Sequence, residues 1–228
     1  MRSFLFVLLL LMIGNAAVSQ QLSQASFSGA STLTYFSFLT DQDVLIRVSE
    51  DGRLLEWGTE LRSERNNNYY APKLQPFMGR VDYYGNESDT AFKGRVKNIG
   101  TCTITYYGPL ETPGKAGKLK TIGRVNLDYY TNYDNAALKG KLRFIGTQVL
   151  EYYSSVENEA IRGKLKSVGN TPITYFSSFD DKMLRGKIKS IGTLTLQWYT
   201  SLDRRGLGGS LKSGLYRQNV NGITYILR

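Results

Sequence analysis

Residues 163–176, with the sequence GKLKSVGNTPITYF, contain the two short segments from which most of the chain is built. In the first segment Lys164 and Lys166 flank Leu165, and the second segment alternates apolar and polar residues in the same way. Alternation with a period of two is typical of half-buried β-strands. Gly169 lies between the segments, where glycine allows a tight turn. The stretch therefore predicts a β-hairpin.

The hairpin unit recurs along the chain with a period of 23 residues. Its opening glycine is found at Gly94, Gly117, Gly140, Gly163, Gly186 and Gly209. Its aromatic pair is found at Tyr83-Tyr84, Tyr106-Tyr107, Tyr129-Tyr130, Tyr152-Tyr153, Tyr175-Phe176 and Trp198-Tyr199. Chance does not keep two such series in phase, so the sequence predicts a repeat array.

Less regular copies of the unit lie at both ends of the array. Residues 33–36, 52–59 and 73–79 resemble parts of it, and the last copy, which begins at Gly209, ends with residues 223–226. Terminal units of a repeat array have to cap its core and therefore depart from the consensus.

The strands could follow one another as an antiparallel meander or as the coils of a parallel solenoid. In a solenoid the basic residues of successive units would stack about 4.8 Å apart, whereas a meander places a partner strand between them. We therefore predict an all-β fold, an antiparallel meander of about eight β-hairpins in an open curled sheet or a closed barrel. Strict alternation would place Ile191 on the polar face with Lys189, so we also predict a bulge just before the turn at Gly192.

The period, the tyrosines and the glycines resemble those of MORN repeats, which have the same length and form one β-hairpin each. The regular Y-x-G-x-W-x-x-G pattern of that family does not occur in this chain. The resemblance concerns architecture and assigns no functional residue.

The N-terminus has the features of a secretory signal peptide. Arg2 precedes an apolar run over residues 4–13, and the small residues Ala17 and Ser19 stand before a plausible cleavage site at Gln20. The apolar run is about half of the roughly 20 residues that a membrane-spanning helix needs, so no transmembrane segment is expected after cleavage.

These features predict three parts of the chain. Residues 1–19 are the signal peptide, residues 20–70 an N-terminal segment with degenerate repeats, and residues 71–228 the regular array, which forms one domain with the N-terminal segment. The mature protein is expected in the periplasm, on the cell surface or outside the cell.

Composition argues against most catalytic chemistry. The chain has no histidine and one cysteine, Cys102, which leaves no Ser-His-Asp or Cys-His system and no disulfide. The acids of the loops recur with the repeat at Glu111, Asp134, Glu157, Asp180 and Asp203. Since a catalytic pair is a singular feature, we expect these acids to cap turns rather than to act in catalysis or bind calcium. We predict a non-enzymatic protein with no cofactor and no metal site.

Basic residues outnumber acidic ones by 29 to 19, which favours polyanionic partners. Many of them fall on one predicted face of the first strands, together with the second aromatic residue of each unit. The candidate polyanion-binding residues are Arg95, Lys97, Lys118, Lys120, Lys141, Arg143, Lys164, Lys166, Lys187, Lys189, Tyr107, Tyr130, Tyr153 and Tyr199. Cations interleaved with aromatic rings suit an extended anionic polymer.

Because the protein is predicted to be exported, an anionic envelope glycan or lipopolysaccharide is the expected ligand, and nucleic acid is not. The alternative is a scaffold or protein–protein interaction module at the envelope whose basic face is merely solvated, since lysines on an exposed sheet also discourage aggregation.

Overall fold

The computed structural model describes residues 21–61, 73–86, 89–203 and 206–228. The predicted signal peptide, residues 1–19, and part of the predicted N-terminal segment lie outside the described residues. The described part is all-β, and within it no helix is long and apolar enough to cross a membrane.

The strands of the described residues are numbered here in chain order. They are β1 Gln21–Ser28, β2 Thr32–Leu39, β3 Leu45–Val48, β4 Leu54–Thr59, β5 Gln75–Pro76, β6 Val81–Tyr83, β7 Val96–Ile99, β8 Cys102–Tyr106, β9 Leu119–Ile122, β10 Val125–Tyr129, β11 Leu142–Ile145, β12 Gln148–Tyr152, β13 Leu165–Val168, β14 Thr171–Tyr175, β15 Ile188–Ile191, β16 Leu194–Thr195, β17 Gln197–Trp198, β18 Leu211–Ser213, β19 Arg217–Val220 and β20 Ile223–Leu227.

Strands β6 to β16 form one sheet, called here the repeat sheet, in which every strand pairs antiparallel with its neighbours in the chain. The pair β17–β18 follows as a separate two-stranded ribbon. The predicted meander is therefore confirmed. Of the two forms predicted, the open sheet is the one observed, because the sheet does not close on itself.

A second sheet of seven strands, called here the covering sheet, has the order β19-β20-β1-β2-β3-β4-β5. In it the last strand of the chain lies parallel to the first, with Gln24 opposite Thr224 and Phe27 opposite Leu227. The sequence pattern predicted these segments to be degenerate ends of a single meander. The parallel pairing of the two ends was not predicted.

A β-bulge occurs in the first strand of each regular unit. Between β14 and β15, Thr174 pairs with Ser190 and Tyr175 with Ile188, so that Lys189 is the extra residue. The bulge returns Ile191 to the core, where it is fully buried. The predicted bulge is confirmed, and the same shift occurs where β6, β8, β10 and β12 pair with β7, β9, β11 and β13.

The core lies between the two sheets. One cluster joins Phe36 and Ile46 of the covering sheet to Leu142 and Ile173 of the repeat sheet, and all four side chains are fully buried. Burying such a side chain stabilises the fold by about 1.5–3 kcal/mol. Since the inner face of the repeat sheet is thus covered, the surface open to a ligand consists of its outer face and its loops.

Two backbone hydrogen bonds fix the sheets to each other. The N–H of Leu142 donates to the carbonyl of Glu50 at 2.8 Å, and the N–H of Ile188 donates to the carbonyl of Ala30 at 2.8 Å. Both carbonyls belong to turns of the covering sheet, so that sheet is anchored to the same edge of two repeat units two periods apart.

Candidate polyanion-binding face

The structure divides the predicted basic residues into two rows. The first basic residue of each unit follows the opening glycine and forms the inter-unit row, which comprises Arg95, Lys118, Lys141, Lys164 and Lys187. The second is the bulge residue and forms the exposed row, which comprises Lys97, Lys120, Arg143, Lys166, Lys189 and Lys212. Residues of the two rows are two positions apart in sequence but have different surroundings.

Cations of the inter-unit row bind the backbone of the neighbouring unit. Lys118 Nζ donates to the carbonyl of Gly140 and lies 4.8 Å from the ring centroid of Tyr129, a core residue. Arg95 and Lys141 make the equivalent bonds to the carbonyls of Gly117 and Gly163. The row therefore joins each repeat unit to the next.

The last two members of the inter-unit row reach the covering sheet instead. Lys164 Nζ donates to the carbonyl of Ser31 at 3.0 Å, and Lys187 Nζ donates to the carbonyl of Gly29 at 2.9 Å. Lys141 also forms an ion pair with Glu50 at 3.0 Å. These ammonium groups hold the two sheets together.

Burial disfavours the charged form of several lysines in the inter-unit row. It lowers the pKa of Lys118, Lys164 and Lys187, because loss of water disfavours the charged ammonium. It also raises the pKa of Glu50, an effect that Lys141 opposes. The charges of this row are used in the fold and are poorly placed to bind a ligand.

The exposed row differs from the inter-unit row in its burial and in its contacts. Each cation is exposed and lies beside the second aromatic ring of the preceding strand. The distances to the ring centroids are 5.7 Å for Lys97–Tyr84, 5.6 Å for Lys120–Tyr107, 5.5 Å for Arg143–Tyr130, 6.0 Å for Lys166–Tyr153, 5.7 Å for Lys189–Phe176 and 5.4 Å for Lys212–Tyr199. Since each period contains two strands, successive cations are about 9.5 Å apart.

The rings beside the exposed row are held in place by their hydroxyls. Tyr107 Oη donates to the carbonyl of Leu127 at 2.8 Å, and Tyr130 and Tyr153 make the equivalent bonds 20 residues along the chain. Burial, with Asp128 nearby, raises the pKa of Tyr107 to about 12. The rings are thus half-buried supports for the cations rather than freely exposed stacking platforms, which corrects the sequence-based picture of this face.

Carboxylates are unevenly distributed on the outer face. One strand position carries Asp82, Asp128 and Glu151 in three units but Thr105, Thr174 and Gln197 in the other three. Asp128 is paired with Lys115. Lys120 and Lys189 thus belong to units without a carboxylate at this position, whereas Lys212 is ion-paired with Asp203 at 3.3 Å.

Three of the five predicted loop acids, the aspartates, are confirmed as turn caps, while the prediction for Glu111 and Glu157 stays a prediction. Asp134 accepts hydrogen bonds from the N–H and hydroxyl of Thr131 at 2.6 and 2.9 Å, and these bonds lower its pKa. Asp180 and Asp203 do the same with Ser177 and Thr200. In the described ranges, no group of three or more acidic, cysteine or histidine side chains could hold a metal ion.

Cys102 is buried in the core of the repeat sheet. Burial raises the pKa of its thiol to about 11, with a contribution from Asp41. The thiol is therefore protonated at neutral pH and is a poor nucleophile.

A second periodic surface was not predicted from the sequence. The loops that follow the aromatic strands each carry one large apolar residue at the tip, and these residues are almost fully exposed. They are Leu110, Tyr133, Val156, Phe179 and Leu202. Their 23-residue spacing was visible in the sequence, but an isolated apolar residue in a polar loop carries no signal until its exposure is known.

A cleft of about 400 Å³ opens between the sheets at the opposite edge, by the hairpin turns. Its lining includes Arg124, Gln148 and Asn221. None of the predicted polyanion-binding residues lines it.

No known family model matches the chain, and neither a curated protein nor a solved structure gives a significant match. The sheet topology by itself implies no activity, because one architecture can serve many functions. Function therefore has to be inferred from the geometry of the two basic rows and of the loop tips.

Proposed function

We propose that this protein is an exported, non-enzymatic binding module of the cell envelope that captures an extended anionic glycan along the exposed row. One observation supports this most strongly. Five exposed cations recur once per unit along the repeat sheet and a sixth, Lys212, lies on the β17–β18 ribbon, each beside an aromatic ring, while the neighbouring inter-unit cations are used in the fold.

The binding mechanism is multivalent electrostatic attraction. An exposed ion pair contributes at most about 1 kcal/mol, so one cation alone would bind weakly. A long polymer that reaches several units gains from the high effective concentration of each further contact. A spacing of about 9.5 Å requires an extended anionic chain whose acidic groups are available at that interval along its length.

The test is the affinity of the mature protein for alginate, dextran sulfate and purified lipopolysaccharide, with neutral dextran as the control, at two salt concentrations. We expect binding to the anionic polymers that weakens steeply with salt. The variant Lys120→Gln, Lys166→Gln, Lys189→Gln should remain folded and bind at least about tenfold more weakly. Binding to dextran that matches binding to alginate would contradict the proposal.

The second candidate is a scaffold or protein–protein interaction module whose basic face is only solvated. The hydrogen-bonded rings favour it, because Tyr107, Tyr130 and Tyr153 already satisfy their hydroxyls and support the adjacent cations within the protein. Negligible binding of every anionic polymer at both salt concentrations would support this candidate.

A further inference from the structure

The apolar loop tips follow one edge of the repeat sheet and the same end of the β17–β18 ribbon, and are called here the apolar rim. It consists of Leu110, Tyr133, Val156, Phe179 and Leu202, whose exposed fractions lie between 89% and 100%. Single exposed apolar residues are common on protein surfaces, but five at the same place in five successive units are not explained by chance.

Hydrogen bonds between neighbouring loops keep the rim in register. Asn135 Nδ2 donates to Ser155 Oγ at 3.1 Å, and Asn135 Oδ1 accepts from the N–H of Ser155 at 3.1 Å. Asn158 makes both contacts with Ser178, and Asp181 accepts from the N–H of Ser201. From Tyr133 to Leu202 the tips are therefore expected to repeat at the spacing of the units, about 9.5 Å.

A backbone hydrogen bond closes the turn at each tip, and at three of the five tips the N–H of the apolar residue is also bonded. The N–H of Tyr133 donates to Thr131 Oγ1 at 3.3 Å, and the N–H of Asp134 donates to the carbonyl of Thr131 at 3.2 Å. Phe179 and Leu202 repeat the first bond with Ser177 and Thr200. Since an unsatisfied polar group is costly in an apolar medium, tips closed in this way can enter one at low cost.

The charges of these loops balance. Residues 108–117, 131–140, 154–163, 177–186 and 200–209 together contain seven acidic and seven basic residues. An acidic residue directly follows each tip residue, so the rim gains no electrostatic attraction to an anionic surface, in contrast to the exposed row.

We propose that the apolar rim inserts into the interfacial region of a lipid bilayer and lays the repeat sheet edge-on against it. A folded partner would need a series of pockets matched to five separate side chains of different shape, whereas a fluid apolar phase needs no such complementarity. Aromatic side chains such as Tyr133 and Phe179 are favoured at membrane–water interfaces. The proposal does not depend on glycan binding, because it involves the loop tips rather than the exposed row, and apolar burial rather than attraction between charges.

The test is co-sedimentation of the full mature protein with vesicles of phosphatidylcholine and of phosphatidylcholine mixed with phosphatidylglycerol. We expect similar binding to both, with little dependence on salt, because apolar burial dominates. The variant Tyr133→Ser, Phe179→Ser should lower the partition coefficient at least about tenfold. Met78→Ser is the matched control, because Met78 is 93% exposed but lies away from the rim, and it should have little effect.

A spectroscopic measurement reports where the rim lies. Tryptophan introduced as Val156→Trp should shift its emission to the blue when vesicles are added and be quenched by brominated lipid, whereas Met78→Trp should show neither effect. Binding that requires phosphatidylglycerol and disappears in salt would overturn the proposal and point to the exposed row. Self-association in sedimentation velocity that Tyr133→Ser, Phe179→Ser abolishes, without vesicle binding, would overturn it in favour of a second copy of the chain.

Discussion

Lys164 and Lys166 belong to the same short strand segment and have the same chemistry, yet the fold uses them in opposite ways. Lys164 is half-buried and donates to a carbonyl of the covering sheet, while Lys166 is exposed beside the ring of Tyr153. The same division recurs in each regular unit. The basic residues of one strand segment therefore need not form a single binding surface. The position of each cation relative to the bulge determines whether it bonds within the fold or lies exposed.

The largest expected effect concerns the inter-unit row. Lys118→Gln, Lys164→Gln, Lys187→Gln should lower the free energy of unfolding by about 3 kcal/mol in total, because each substitution removes a hydrogen bond of a charged group to a backbone carbonyl. Chemical denaturation followed by circular dichroism measures this. The matched exposed-row variant, Lys120→Gln, Lys166→Gln, Lys189→Gln, should change the value by less than about 1 kcal/mol. Equal losses of unfolding free energy in the two variants would contradict the distinction between the rows.

The aromatic pairs allow a second comparison, between single substitutions that are expected to have smaller effects on the free energy of unfolding. Tyr129 is buried under the inter-unit row and donates from its hydroxyl to the carbonyl of Leu119 at 2.7 Å. Tyr129→Phe leaves that buried carbonyl without this donor and should cost about 1–2 kcal/mol.

The corresponding change beside the exposed row is Tyr107→Phe, which should cost roughly half as much, because Tyr107 is only half-buried and water can reach the site of its hydroxyl. Both values come from the same denaturation experiment. If Tyr107→Phe proved the more costly change, the assignment of the second aromatic residues to the outer face would be wrong.

The smallest effect concerns the turn caps. Hydrogen bonds from Ser177 lower the pKa of Asp180, so the folded protein binds fewer protons there than the unfolded chain. The cap therefore stabilises the fold above the ordinary aspartate pKa of about 4, and this contribution is lost as the pH falls through the lower value of the folded state.

Asp180→Asn should accordingly lower the melting temperature by a few degrees at most at pH 7 and make its decline in acid shallower. Melting curves between about pH 3 and pH 7 test this. A decline in acid as steep as that of the unmodified protein would show that the cap contributes nothing.

Much of the repeat sheet could be predicted because the residue patterns that determine each hairpin lie within a single repeat unit. The alternation around Leu165 and the glycine turns predict the hairpins, and the parity of Ile191 predicts the bulge. Strict alternation also placed Lys187 and Lys189 on one face, but it could not predict that their surroundings differ. Their different surroundings depend on the bulge and on Gly29 of the covering sheet, more than 150 residues away.

The covering sheet could not be predicted in the same way. Its decisive contact, the parallel pairing of β1 with β20, joins the two ends of the described chain and leaves no periodic trace in the sequence. The apolar rim could be predicted only in part. Its 23-residue period is present in the sequence, but the exposure of the loop tips is known only from the structure.

The most direct test of the division between the rows is the salt dependence of dextran sulfate binding by the unmodified protein and the two triple variants. We predict that the exposed-row variant binds at least about tenfold more weakly, with a slope of log K against log salt reduced by roughly two to three units. The inter-unit variant, at a temperature where it remains folded, should keep the slope of the unmodified protein. Equal loss of affinity and slope in both variants would show that the two rows form one binding surface, and would contradict the division between them.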